Sequence, residues 1–271
     1  MQRNWQEVFL NKRYHSVGPG AGILACDRIG SGRMAEPSEI ITHIHSLLHT
    51  KGKKDLTGKR VLISAGGTRE YLDPVRFIGN PSTGKMGLAL AAAALHRGAS
   101  VTLVHAPING EIPLGVKSVG VTSAAEMQKA MFEHFSSADL IIMSAAVADV
   151  KPANYATEKL PKKSLPTALD LEFVPDIVAE LGKLKQPHQK LIGFAAQTGD
   201  IVTPALEKLK RKKLDAIAAN PIDKFNSGFG SDNNQAVFLD SQGRQVEITP
   251  CSKLEMAHCL FDFVQELEIR E

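Results

Sequence analysis

The residues best suited to chemistry lie in one glycine-rich segment that carries three basic side chains. Gly66 to Gly87 read GGTREYLDPVRFIGNPSTGKMG, and they follow the apolar run KRVLIS, Lys59 to Ser64. Glycines allow backbone N–H groups to approach an anion closely, and the N-terminus of a following helix adds positive potential. Arg69, Arg76 and Lys85 add full charges. The segment therefore predicts a site for a phosphorylated ligand.

Two general phosphate-binding motifs fit this segment poorly. Gly79 to Lys85 matches the G-x-x-x-x-G-K core of a P-loop, but the next residue is Met86, where a P-loop has Ser or Thr for Mg²⁺. A P-loop also begins where its strand ends, whereas here the apolar run ends about fifteen residues earlier and a long polar loop is predicted between them. The dinucleotide motif G-x-G-x-x-G is absent from the sequence.

An ordered series of motifs gives a more specific interpretation. The pattern GGTRE-x-LDPVR-x-I-x-N-x-S-[ST]-GKMG resembles the signature of phosphopantothenate–cysteine ligase, the synthetase half of the bifunctional coenzyme A biosynthesis protein of bacteria. The resemblance covers residues 55 to 270, and a series over that length is more specific than any one motif. Further matches follow in order: Ser144 to Asp149 (SAAVAD), Lys159 to Lys163, Pro175 to Val178 (PDIV), Gly193 to Ala196 (GFAA) and Ser231 to Asn234 (SDNN).

The resemblance implies a CTP-dependent ligation of L-cysteine to 4′-phosphopantothenate through an acyl-cytidylate. CTP follows from the resemblance to bacterial members alone, since no spacing identifies the base. Mg²⁺ is expected with the triphosphate, and a homodimer is the expected assembly. Two alternatives stay open: a non-catalytic regulatory subunit that binds the same ligands, and a Rossmann-type nucleotide-dependent enzyme. The missing G-x-G-x-x-G counts against the second.

The resemblance assigns catalysis to Arg76, Asn80 and Lys159. Acyl transfer brings a carboxylate and an α-phosphate together, so an arginine that neutralises charge and an uncharged amide suit this step. The other interpretation is a solvated arginine and an asparagine that only forms a turn. Lys159 is expected at the triphosphate. The segment reads Lys-Leu-Pro-Lys-Lys where the bacterial pattern has Lys-x-Lys-Lys, so the roles of Lys162 and Lys163 stay open.

The resemblance places the nucleotide on several separated segments. Asp149 is expected to contact the ribose at the end of a buried strand, where a turn-forming role is the alternative. Ala145 is small enough to let the base and the substrate approach the backbone, and it is expected to bind substrate with Arg76 and Asn80. The full expected nucleotide-binding set is Ser82, Gly84, Met143, Ser144, Ala145, Asp149, Lys159, Pro175, Asp176, Ile177, Val178, Phe194, Lys208 and Lys212.

The composition excludes several classes of protein. Of the 271 residues, 43% are hydrophobic and 23% are charged, which is typical of a globular protein. No apolar run reaches membrane-spanning length, and the polar N-terminus is unlike a secretory signal. The three cysteines favour a reducing, cytoplasmic location over a disulfide framework. The net charge of +3 does not indicate nucleic acid binding, and the histidines lack zinc-ligand spacing.

Apolar runs alternate with helical patterns between residues 59 and 220, which predicts parallel βαβ units. The predicted fold is α/β, a doubly wound, Rossmann-like and mostly parallel sheet with a C-terminal β-hairpin extension around the turn SQGR. A final amphipathic helix is predicted to begin at Ser252. The other predicted helices are Met86 to Arg97, Ala124 to Phe135, Asp176 to Leu184 and Ile201 to Lys213. The predicted parallel strands are Arg60 to Ser64, Ser100 to His105, Val116 to Val121, Leu140 to Ser144, Leu191 to Ala195 and Ala216 to Ala219.

The N-terminal residues are predicted to be a separate part of the chain. VGPGAGILACDRIGSGRM resembles the C-terminal tail of the flavin-dependent phosphopantothenoylcysteine decarboxylase, and Cys26 stands where that family has an active-site cysteine. Residues 1 to 50 are therefore expected to be a remnant of that enzyme, 51 to 58 a linker and 59 to 271 the ligase domain. Neither FMN nor decarboxylase activity is expected of so short a segment, although a separate or fused decarboxylase is a candidate partner.

Overall fold

The structure is a computed structural model that describes residues 14–23, 29–165, 167–223 and 230–267. The chain divides into two units, Met1–Gly52 and Lys53–Glu271. In the first unit, β1 (Gly20–Ile23) pairs antiparallel with β2 (Ile29–Arg33), and α1 (Pro37–Thr50) follows. A proline in its first turn suits α1, because the first N–H groups of a helix have no partner within it. Cys26 lies outside the described residues.

The second unit alternates strands and helices as the sequence predicts. The elements, in chain order, are β3 (Arg60–Ala65), β4 (Arg69–Tyr71), β5 (Phe77–Gly79), α2 (Lys85–His96), β6 (Ser100–His105), β7 (Lys117–Gly120), α3 (Ala124–Phe135), β8 (Leu140–Met143), β9 (Val150–Pro152), β10 (Leu171–Phe173), α4 (Ile177–Leu184), β11 (Lys190–Gln197), α5 (Val202–Arg211), β12 (Ala216–Pro221), β13 (Asn233–Asp240), β14 (Gln245–Ser252) and α6 (Lys253–Gln265).

Eight of these strands form the main sheet of the described residues, in the lateral order β14-β13-β12-β11-β8-β3-β6-β7. Six neighbouring strands of this sheet, β7, β6, β3, β8, β11 and β12, are parallel to one another. The strands β13 and β14 extend the sheet in antiparallel pairing. Numbered by chain order, the parallel strands run 3-2-1-4-5-6, which is the order of doubly wound dinucleotide-binding sheets. The predicted fold class, including the C-terminal hairpin, is confirmed.

Both faces of the sheet are covered, and β3 shows how. Val61 and Ile63 point to the side packed by α2 and α6, whereas Leu62 points to the side packed by α3, α4 and α5. Gly87 lets α2 lie close to β3, because a Cβ there would be 2.3 Å from that of Ala65. This close packing fixes the start of α2 at the carboxyl edge of the sheet.

Two short hairpins depart from the predicted arrangement. The prediction of one long polar loop between β3 and α2 is wrong, because β4 and β5 pair antiparallel within it. A second antiparallel pair, β9 with β10, brackets the lysine-rich residues. Each of these strands has only three residues, too few to display an alternating pattern. No helix among the described residues is both long and apolar enough to span a membrane.

Candidate functional site

The floor of the candidate site is formed where β3 and β8 end, at the point where the strand order reverses. Beyond the strands, Gly67 pairs with Ala146 in a parallel bridge. The N–H of Ala148 donates to the Thr68 hydroxyl at 2.9 Å. A Cβ on Gly67 would lie 2.5 Å from the carbonyl oxygen of Asn80, so a glycine is required for this close approach. These contacts join the GGT and SAAVAD motifs into one surface.

A cleft of about 740 Å³ opens above this floor. Its walls come from the end of β8, the turn before β9 and the start of α4. The rest of the wall is formed by β11 and by the C-terminal end of α5. In open α/β sheets, ligands bind at this position. Most of the predicted nucleotide and substrate residues line the cleft: Asn80, Met143, Ser144, Ala145, Asp149, Pro175, Asp176, Ile177, Val178, Phe194, Lys208 and Lys212.

One side of the cleft is lined by paired charges. Asp176 caps the N-terminus of α4, and its carboxylate lies 2.9 Å from the Lys212 ammonium. Burial opposes ionisation of Asp176, but the hydrogen bonds from Lys212 and from the N–H of Ala179, together with nearby positive charge, outweigh it and lower the pKa of the carboxyl. Burial, followed by the charge of Lys212, lowers the pKa of the Lys208 ammonium, while the charge of Asp149 acts in the opposite direction. The cleft therefore presents both signs of charge to a ligand.

A smaller pocket of about 80 Å³ adjoins the cleft at the start of α2. Ser82 and Gly84 line this pocket and not the cleft, while Ser144 and Phe194 line both. Gly84 adopts the left-handed conformation with φ 74°, and no side chain caps α2 there. An uncapped helix N-terminus leaves N–H donors available to an anion. The predicted phosphate-binding segment is thus one side of a pocket that opens beside the nucleotide-binding candidates.

The basic residues of the first motif all have protein partners. The Lys85 ammonium lies 2.6 Å from the Asp232 carboxylate in the SDNN motif. The ammonium of Lys253, which is 8% exposed, donates to the carbonyl of Ser231. Burial and then the charge of Lys85 lower the pKa of Lys253. The guanidinium carbon of Arg69 lies over the ring of Phe77, 4.8 Å from the ring centroid. An incoming phosphate would therefore compete with contacts already made.

The three predicted catalytic residues occupy different environments. Asn80 lines the cleft, and its amide donates to the carbonyl of Val147 at 3.2 Å. Arg76 and Lys159 do not line the cleft. The guanidinium of Arg76 donates to the carbonyl of Leu160 at 3.1 Å. Arg76 is therefore bound to the residue that directly follows Lys159 in the chain. Lys159 itself is exposed.

The same guanidinium is paired with a carboxylate that the sequence does not single out. Arg76 lies 2.5 Å from Asp73, which has no exposed surface. Burial opposes ionisation of Asp73. Hydrogen bonds from the N–H groups of Val75, Arg76 and Leu160 and from the guanidinium outweigh burial and hold the pKa of Asp73 at about 2.

Sequence reasoning misses several residues that the fold brings to the site. Asp73 lies within the LDPVR motif, so the motif marks its neighbourhood but not its burial. Asn220 and Lys253 line the smaller pocket from β12 and the start of α6. Their distance along the chain from the glycine-rich segment leaves no local spacing that could have identified them. Asn234 also lines this pocket and belongs to the SDNN motif, to which the sequence analysis assigns no role.

The fold and the cleft define a doubly wound α/β protein with a polar ligand site at the reversal of its strand order. The chain belongs to the family described as DNA/pantothenate metabolism flavoprotein C-terminal domain, whose model matches residues 56–267. The predicted resemblance to the bacterial bifunctional coenzyme A biosynthesis protein is confirmed by similarity over nearly the whole chain.

Two curated relatives and one solved structure show the extent of this similarity. The Coenzyme A biosynthesis bifunctional protein CoaBC of Vibrio cholerae serotype O1 is 41% identical over 98% of this chain and 66% of its own length. The protein of the same name from Bacillus subtilis is 40% identical over 96% of this chain and 63% of its own. This chain therefore spans less than two thirds of the length of either relative. A crystal structure of the C-terminal domain of such a protein superposes with a TM-score of 0.66, at 38% identity, over 78% of this chain and 97% of that domain.

Proposed function

We propose that this chain is a phosphopantothenate–cysteine ligase of coenzyme A biosynthesis, and that it uses CTP. The observation that carries the proposal is the cleft of about 740 Å³, where residues from separate motifs line one space at the carboxyl ends of parallel strands. Membership of the family and similarity to proteins named for coenzyme A biosynthesis support it. The nucleotide, the intermediate and the substrates belong to the proposal.

The proposed reaction has two steps. A carboxylate oxygen of 4′-phosphopantothenate attacks the α-phosphorus of CTP, the bond to the β-phosphate breaks, and pyrophosphate leaves. The amine of L-cysteine, after losing a proton, then attacks the acyl carbon and releases CMP. The first step brings anions together, so its transition state needs cations and hydrogen-bond donors already in place.

The described residues suit these requirements. The Asn80 amide lines the cleft near the joined ends of β3 and β8, where it could contact the acyl-cytidylate. Arg76 uses Nη1 for Asp73 and Leu160, and the structure describes no protein partner for its Nε and Nη2 donors. The uncapped start of α2, beside Ser82 and Gly84, suits the phosphates. Asp149 suits the ribose, and the remaining cleft residues suit the nucleotide. Lys159 would add charge at the triphosphate.

Mg²⁺ is proposed to arrive with the triphosphate. Among the described residues, no three His, Cys, Asp or Glu side chains form a cluster that could hold a metal. Mg²⁺ often keeps its waters and binds through substrate phosphates with one or two carboxylates, so a site without a protein cage fits this ion. Bound there, it would neutralise charge on the phosphates.

One sequence spacing matches the Rossmann-enzyme alternative, but the structure does not support it. Tyr155 and Lys159 have the Tyr-x-x-x-Lys spacing found in some nicotinamide-dependent enzymes, but they lie on an exposed segment without helical structure. Residues four apart share a face only on a helix. The spacing therefore does not bring these two side chains together, and it lends the alternative no support.

Pyrophosphate release separates the three candidate functions. The assay supplies each of the four ribonucleoside triphosphates with Mg²⁺ and 4′-phosphopantothenate, with cysteine added or withheld. We expect pyrophosphate with CTP, and phosphopantothenoylcysteine and CMP only when cysteine is present. Ligand binding without pyrophosphate would favour the non-catalytic subunit. A parallel assay supplies a nicotinamide cofactor in place of the triphosphate, and its reduction or oxidation would favour the Rossmann enzyme.

A homodimer is proposed as the assembly. Apolar side chains are exposed on two neighbouring hairpins, among them Phe173 at 89%, Leu171 at 48% and Phe77 at 45%. Such a patch is typical of a protein–protein contact. Light scattering is expected to give twice the chain mass, and Phe173→Asp to shift it toward the monomer. The matched control is Leu184→Asp, an exposed leucine on α4. A monomeric wild-type protein would contradict the assembly.

The N-terminal unit is proposed to correspond to the tail of a flavin-dependent decarboxylase. Flavin chemistry belongs to the cofactor, and residues 1 to 50 are too few to form a flavin-binding domain. Purified protein is therefore expected to be colourless and to release no CO₂ from phosphopantothenoylcysteine, and Cys26→Ser should keep ligase activity. A visible flavin spectrum would contradict this assignment.

A further inference from the structure

We propose that Asp73 is a positioning residue for Lys159, a role that rests on the proposed function. Its carboxylate fastens the exposed segment that carries Lys159 to the loop that carries Arg76. The LDPVR motif contains Asp73 but gives it no role, and Asp73 does not line the cleft, since it has no exposed surface.

The carboxylate joins two parts of the chain that are far apart in sequence. Its Oδ1 accepts the N–H groups of Val75 and Arg76, each at 2.8 Å, and so shapes its own loop. Its Oδ2 accepts the Arg76 guanidinium at 2.5 Å and the N–H of Leu160 at 3.2 Å. Arg76 also donates to the carbonyl of Leu160 at 3.1 Å. Both backbone polar groups of Leu160 are therefore held.

These bonds matter because the rest of the segment is weakly held. Between residues 157 and 164, all of which the structure describes, Leu160 is the one residue that is half-buried and the others are exposed. A second attachment lies four residues earlier, where the N–H of Ala156 donates to the carbonyl of Leu72 at 2.9 Å. Lys159 lies between these attachments and has no hydrogen bond or ion pair to another described residue. Its position is therefore set by its backbone.

The placement of a catalytic cation decides what its charge is worth. A displacement of about 1 Å can cost about 10²-fold in rate, even when the residue itself is unchanged. A carboxylate offers acceptor sites on both oxygens, as the four donors require. An asparagine of the same size has one acceptor oxygen, and its NH₂ group would face an N–H donor. Asp73→Asn should therefore release Leu160, and it also removes the charge paired with the Arg76 guanidinium.

The kinetic test uses wild-type protein, Asp73→Asn, Lys159→Gln and the double variant in the pyrophosphate assay. Asp73→Asn should lower kcat by about tenfold or more and leave the KM for CTP within about threefold. The double variant combines Lys159→Gln with Leu160→Pro, which removes the N–H of Leu160 and leaves the Asp73–Arg76 pair in place. It should be no slower than Lys159→Gln by more than about twofold, because both changes remove one function. Asp170→Asn, the same change at an exposed aspartate between β9 and β10, is the matched control. Fully multiplied losses in the double variant would overturn the proposal.

Limited proteolysis tests the attachment without any activity. Trypsin should cleave the Lys159–Leu160 bond about tenfold faster in Asp73→Asn than in wild type, with the Lys163–Ser164 bond as internal reference. Equal cleavage in both proteins would overturn the attachment. If wild type released no pyrophosphate, the proposed function would fail and proteolysis would still decide whether Asp73 holds the segment. Should Asp73→Asn not fold, Leu160→Pro removes the N–H while leaving the carboxylate, and the same loss in kcat is expected.

Discussion

The two sides of the cleft are built in opposite ways. One side, the strand side, consists of the ends of β8 and β11 with the start of α4 and the C-terminal end of α5, and its strands are buried on both faces. The other side, the hairpin side, consists of β4, β5, β9, β10 and the segment around Lys159, and of these elements only β10 lines the cleft itself, through Phe173. Met143 on the strand side is 3% exposed, whereas Phe173 on the hairpin side is 89% exposed. The core fixes the first side, and a few hydrogen bonds to Asp73 fix much of the second.

This difference matches a division of the proposed work. The expected nucleotide contacts come mainly from the strand side, and two of the three expected catalytic residues, Arg76 and Lys159, come from the hairpin side. Segments with few buried apolar contacts open at a lower free energy than core strands. Binding would then depend on a preformed surface, and chemistry on residues held by a local network. Substitutions on the two sides should therefore alter different kinetic constants.

The largest effect is expected at Asn80, where the two sides meet. If its amide stabilises the acyl transfer, Asn80→Ala should lower product formation by about 10³-fold while CTP affinity stays within about tenfold. The bond to Val147 is a neutral one, so the melting temperature should change little. Single-turnover kinetics and nucleotide titration measure the two quantities, and Asn109→Ala, at an exposed asparagine, is the control. Loss of CTP binding with normal chemistry would instead mean that Asn80 binds the nucleotide, like the residues of the strand side, and does not act in acyl transfer.

Lys159 gives the clearest test of the hairpin side. Lys159→Gln removes one charge from an exposed residue, so the fold should be unaffected. Its ammonium is expected to offset charge on the triphosphate, and turnover should fall by about 10²-fold. Lys151→Gln removes a charge from the neighbouring β9, where Lys151 forms an exposed ion pair with Glu172, and should have little effect. Wild-type turnover in Lys159→Gln would mean that Lys159 is an ordinary solvated surface residue without a catalytic role.

The strand side was predictable from the sequence and the hairpin side was not. Runs such as Leu140 to Met143 are apolar without interruption, and a strand buried on both faces requires this. Ser123, Asp176 and Ser252 cap helices close to the predicted starts. The burial of Asp73 could not be predicted, because it depends on a loop more than eighty residues away along the chain. The contact of Lys85 with the SDNN motif depends likewise on the folded sheet.

On the strand side, the expected effect is a change in affinity. Lys212→Ala removes a partly buried ammonium beside the cleft and should raise the KM for CTP by about tenfold with kcat unchanged. The ion pair with Asp176 is partly exposed, and pairs of this kind contribute about 0–1 kcal/mol to stability. Lys210→Ala, at an exposed lysine on the same helix, is the matched control. A fall in kcat at constant KM would remove the distinction between the two sides.

The smallest effect is expected in the acid stability of the two sides. The folded pKa of Asp73 is about 2, below the ordinary value of 3.8, so its ionised form stabilises the fold above pH 3.8. This contribution is lost as the pH falls from about 3.8 to about 2.

Asp73→Asn lacks this contribution, so its melting temperature should be lower at neutral pH and should fall less steeply than that of wild type between pH 4 and 2. Asp176→Asn should flatten the curve less, because Asp176 is partly exposed and solvent screens its ion pair. Thermal unfolding from pH 7 to 2 measures all three curves, with Asp170→Asn as control. Parallel curves for wild type and Asp73→Asn would mean that the buried carboxylate does not stabilise the hairpin side.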